Sequence, residues 1–74
     1  ISSPKYIIYP VPTNDILNLE SSTILGTIKI IDLTGNVIIH HSTPDTRAHI
    51  DVSNLRKGLY YIETNSHHYT FLKD

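Results

Sequence analysis

The sequence has no cysteine, no methionine and no tryptophan, only three glycines, and no apolar run longer than about four residues. Without cysteine there is no disulfide framework and no thiolate metal site, and the redox compartment is not readable. Short apolar runs exclude a membrane-spanning helix, which needs about 18 such residues. Charge of one sign is also lacking. Six Lys and Arg stand against seven Asp and Glu, scattered along the chain. That balance gives no field to steer nucleic acid or an acidic membrane surface. Three isolated glycines cannot build a phosphate-cradling loop. The lack of an initiator methionine leads to the expectation of a processed product or a piece of a longer protein. The stop at Lys73-Asp74, directly behind an apolar pattern, reads as a natural C-terminus. At 74 residues one small domain is expected, burying only roughly 60% of its unfolded surface.

What is present is strand chemistry punctuated by turns. In "YPVPTND", Pro10 and Pro12 follow the apolar run "YIIY". Neither proline can donate to a sheet ladder, and each holds its preceding residue extended. Thr13, Asn14 and Asp15 then favour a reversal into "ILNLE". The pattern predicts strands over residues 5–9, 15–20, 27–33, 36–41, 47–52, 58–64 and 68–73. Such regular short strands imply a sandwich or a barrel. No segment combines helical apolar spacing with a cap.

Period-2 alternation directs Leu17, Leu19, Ile28, Ile30, Val37, Ile39, Ile50, Val52, Tyr60 and Ile62 inward. "LTGN" is expected to close a hairpin, with Gly35 at a positive φ. A second hairpin around "STPD" is expected to set Val37 opposite Ile50 and Ile39 opposite Ala48. Ile38, His40, Arg47 and His49 would then share its outer face. The closing strand, "HHYTFLKD", has little beyond it to hold it in place and is expected to fray.

Residues with chemical potential are plentiful but do not form a recognisable catalytic or metal pattern. The pairs His40-His41 and His67-His68 point to opposite faces of a strand, so neither pair chelates one ion. His40 and His49 lack a third ligand. Asp15, Asp32, Asp45 and Asp51 sit in or beside turns, where Asp is used structurally. No calcium loop and no nucleophile elbow is present. A chain of this size has little room for a substrate pocket, so no enzyme activity, metal or cofactor is expected.

Four short motifs stand in order: "YPVPTNDILNLES", "IKIIDLTGNVI", "IDVSNLRKGLYYIET" and a terminal "YTFLKD". Together they resemble the type A C-terminal sorting domain of the type IX secretion system, a family of Bacteroidetes. Its pattern is Y-P-N-P and a strand, then I-x-D-x-x-G, then L-x-x-G-x-Y, then a short last strand with a basic residue. On this chain the motif positions are Pro10, Pro12, Asp32, Gly35, Leu55, Gly58, Tyr60, Phe71 and Lys73. Val11 stands where the family usually has asparagine, and the tail carries one lysine only.

The resemblance implies an immunoglobulin-like antiparallel β-sandwich of about seven strands. It also implies a role as an address label: residues 1–5 form the junction to an upstream cargo and residues 6–74 the sorting domain. The implied partners are the type IX translocon and its sortase, with passage through the periplasm to the cell surface or medium and no insertion into the membrane. Phe71 and Lys73 are the implied contacts of the tail, with completion of the core as the competing role for Phe71. The alternative function is an adhesive or carbohydrate-binding module of a secreted protein. Such a module needs clustered exposed aromatics, whereas the expected exposed positions are mostly Thr, Asn, Ser and His.

Overall fold

The computed structural model describes residues 5–10, 12–65 and 67–74. Within them lie seven strands: β1 (Tyr6–Tyr9), β2 (Ile16–Ser21), β3 (Gly26–Ile31), β4 (Val37–Thr43), β5 (Arg47–Asp51), β6 (Gly58–Thr64) and β7 (His67–Lys73). Every expected strand is present, with ends displaced by no more than two residues. They form two antiparallel sheets, ordered β1-β2-β5 and β4-β3-β6-β7. The fold is an all-β sandwich of the immunoglobulin-like kind, with no helix among the described residues.

Alternation along each strand creates the core. Leu17 and Leu19 on β2 and Ala48 and Ile50 on β5 face Ile28 and Ile30 on β3, Ile62 on β6 and Phe71 on β7. Leu25 and Val52 close the ends from the connections and are fully buried. Ile39 and Tyr60 pack against this cluster from partly exposed positions.

The hairpin expected around "STPD" does not form. β4 pairs with β3, placing Ile39 opposite Ile30, whereas β5 pairs with β2, placing Ile50 opposite Leu17 and Ala48 opposite Leu19. Residues 44–46 are instead a corner between the sheets, tied to the neighbouring corner. Leu25 N donates to Asp45 O at 2.9 Å, and Ser21 N donates to Thr46 O at 2.8 Å. His40 and His49 therefore lie on different sheets and share no face. Adjacent strands usually pair, but a sandwich requires some consecutive strands to cross over.

Val37 is also not a core residue. The β3–β4 register shifts between Ile30 and Ile31: Ile39 faces Ile30, but Val37 faces Ile31. Ile38 is thus an extra residue, a bulge that resets the alternation and turns Val37 outward, 51% exposed.

These placements separate two aliphatic substitutions. Ile30→Ala should cost about 2–5 kcal/mol, a large part of a small domain's stability. Val37→Thr should stay within about 0.5 kcal/mol. Urea unfolding of both variants is the check, and equal costs would contradict the bulged register.

Candidate functional site

The motif residues are spread over three structural devices. The first is the β3–β4 turn. Asp32 Oδ1 accepts hydrogen bonds from Thr34 N at 3.0 Å, Thr34 Oγ1 at 2.6 Å and Asn36 N at 3.0 Å. The backbone closes the same turn, with Gly35 N donating to Asp32 O at 3.0 Å and Asp32 N to Asn36 O at 3.0 Å. Gly35 has φ +92°, a conformation that L side chains rarely adopt, although the space around it is open. The Thr34 hydroxyl and then the Asn36 amide hold the Asp32 carboxyl below the usual aspartate value.

The second device is the corner between β5 and β6. Asp51 Oδ1 accepts from Ser53 N at 2.9 Å and Ser53 Oγ at 2.6 Å, which keeps its carboxyl ionised to lower pH. Leu55 N donates to Val52 O at 3.0 Å, and the Leu55 side chain packs on the core. Gly58 enters β6 at φ +149°. Two residues on, Tyr60 Oη donates back to Arg56 O at 2.6 Å while its ring stacks on Phe71, centroids 5.7 Å apart. This is the tyrosine corner of immunoglobulin-like sandwiches. The spacing Leu55, Gly58, Tyr60 is that device written in sequence.

The third device fastens the two chain ends together. Pro10 and Pro12 are exposed, and Val11 lies outside the described residues. Thr13, directly after them, is completely buried. Its N donates to Leu72 O at 2.9 Å, its O accepts from Asp74 N at 2.8 Å, and it bridges Lys73 in parallel. Its hydroxyl donates to Ile16 O at 2.8 Å. At the opposite end of β7, the Tyr6 ring of β1 meets His67 and Tyr69 at 5.1 and 5.3 Å.

Phe71 lies in the core, 1% exposed. Lys73 is only 7% exposed, its stem along the sandwich interior and its Nζ donating to Asp74 O at 2.7 Å. The last strand is paired with β6 from His67 to Lys73 and bridged by Thr13, a hold that its own sequence does not announce. The partner comes from about 60 residues upstream, so local sequence did not reveal it. Thr13 was legible only as a turn former, and Asp51 only as one turn aspartate among several.

Among the described residues no three His, Cys, Asp or Glu side chains gather into a metal cage. The motif residues do not converge on one cleft. They build corners, a turn and a clasp.

Residues 7–74 match the family model of the secretion system C-terminal sorting domain. Beta-agarase D of Zobellia galactanivorans is 37% identical over 59 residues, which is 80% of this chain but 12% of that protein. The chain thus corresponds to a small part of that relative's length. No solved structure matches the chain.

Asp32 and Asp51 have folded-state pKa values below the ordinary 3.8. Their contribution is present above the unfolded value and is lost as pH falls through the depressed one. The urea midpoint should therefore drop between about pH 5 and about pH 2, and the Asp32→Asn/Asp51→Asn variant should show a shallower drop. Tyr60→Phe, which deletes the corner hydroxyl, should cost about 0.5–1.5 kcal/mol at neutral pH.

Proposed function

The chain belongs to the family of secretion system C-terminal sorting domains, and from that premise we propose that it is the removable address label of a longer exported protein. The type IX translocon receives the folded label in the periplasm and passes the cargo through the outer membrane. A sortase then removes the label from the cargo. The cargo ends at the cell surface or in the medium. The label itself catalyses nothing and takes no cofactor. A relative named as an agarase fits an upstream cargo with an activity of its own.

The observation that carries this reading is the family match along residues 7–74, which takes in all four motifs in order. The three devices support it by giving the motif a physical role. Pro10, Pro12, Asp32, Gly35, Leu55, Gly58, Tyr60, Phe71 and Lys73 hold a shape, and the translocon reads the shape.

A reporter carrying an N-terminal signal and residues 1–74 should reach the surface of a type IX-competent host. Deleting Leu72–Asp74 removes both backbone partners of Thr13, so that reporter should stay in the periplasm. Mass spectrometry of the surface product should find no peptide covering Phe71–Asp74. Export of the truncated label at the intact level, or a retained tail on the mature product, would contradict the proposal.

A further inference from the structure

Most motif residues are committed to the core, a turn or a corner, which directs attention to the exposed sheet faces. The outer face of the four-stranded sheet has the strongest signal. Ile31 and Val37 face one another across β3 and β4, and Ile31 faces Tyr61 across β3 and β6. Leu59 and Leu72 face one another on β6 and β7, and the bulged Ile38 borders the group. Val37, Ile38, Leu59, Tyr61 and Leu72 are each 38–51% exposed. Isolated exposed apolar side chains are ordinary, but a contiguous group on one face marks an interaction site.

One row along the same face is polar. His40, Lys29, Glu63 and His68 are consecutive cross-strand neighbours on β4, β3, β6 and β7. They line an open groove of about 580 Å³ together with Thr27 and Asn65. Glu63 is already engaged on both oxygens: His68 Nε2 lies 2.6 Å from Oε2, and Lys29 Nζ lies 4.0 Å from Oε1. Lys29 has no hydrogen bond closer than that ion pair, and His40 makes no side-chain hydrogen bond among the described residues. The row thus leaves the Lys29 ammonium, held only by a 4.0 Å ion pair, and the His40 ring open to a partner, beside a row in which Val37, Ile31 and Tyr61 precede Thr70.

We propose that this face is the docking surface for the receiving protein of the export machinery, a partner presenting an apolar ridge edged by carboxylates that meet Lys29 and His40. This inference rests on the sorting role above and names the surface through which that role is exercised. Area argues against a permanent second copy as the occupant. Four strands of six or seven residues give a face of about 400 Å² in projection, short of the roughly 800 Å² per partner of a stable complex. A small, mixed contact suits a signal that is bound and then let go.

The test is the reporter fusion with four labels. The Ile38→Thr/Tyr61→Thr label should lower the surface fraction about tenfold, with its melting temperature close to the intact label's. The Lys29→Glu/Glu63→Lys label keeps the ion pair but moves the cation, and it should also lose export. Ile16→Thr alters an exposed aliphatic on the other sheet and should export normally. If the intact label fails to export, the sorting role itself fails. If the intact label exports and both outer-face variants match it, only the docking surface is refuted. Sedimentation of the isolated chain completes the set. A dimer that Tyr61→Thr dissociates would assign the face to a second copy and overturn the proposal.

Discussion

Two small apolar faces hold this molecule together, and neither sheet can stand without the other. The β1-β2-β5 sheet brings Leu17, Leu19, Ala48 and Ile50, and the other sheet answers with Ile28, Ile30, Ile62 and Phe71. A domain this small buries a modest share of its surface, so no part of the core is spare. The remaining structure can be understood as the means of keeping those two faces in register. Every sheet change must return the chain to the correct face, and a slip of one residue would expose the core side chains of a strand.

Short polar side chains do that positioning. Asp32 fixes the β3–β4 turn through three bonds to one oxygen, and Asp51 starts the corner that Tyr60 completes. Thr64 Oγ1 donates to Leu25 O at 2.8 Å where the β2–β3 corner passes β6. Each device is local, inexpensive in residues and demanding in identity, because only a short acceptor or a hydroxyl at that position reaches the backbone. Such demands leave fixed letters at fixed spacings. That is why a family motif can be written across a β-sandwich with no catalytic cleft behind it.

The strands and most of the core were legible because alternation is a local property. Leu17, Leu19, Ile28, Ile30, Ile50 and Val52 follow from period two alone, and all are buried. The partner of β4 was not legible. "VIIHHST" begins with three aliphatics, and its bulge at Ile38 breaks the alternation that an inward assignment of Val37 relied on. Pairing between strands is decided by the whole sandwich, and nothing within residues 44–46 announces a crossing. The clasp was hidden for the same reason, since Thr13 finds β7 only after the chain has folded between them. For the site, the resemblance located the motif residues, but the structure was needed to give them their work as corner, turn and clasp.

A division of labour follows between residues that make the shape and residues that a partner can touch. Phe71 and Lys73 are buried, so a partner meeting the native domain cannot grip them without opening β7. Opening β7 means breaking its pairing with β6 and the two Thr13 backbone bonds together. β7 is an edge strand, and the Thr13 bridge adds a second hold at its C-terminal end, where an end segment otherwise opens at little cost. The accessible alternative is a face whose apolar side chains are already in water, where docking recovers hydrophobic free energy without unfolding anything. Substitution there changes contacts and leaves the corners intact. The motif residues thus make the shape, and the exposed apolar side chains of the four-stranded sheet stand outside that work.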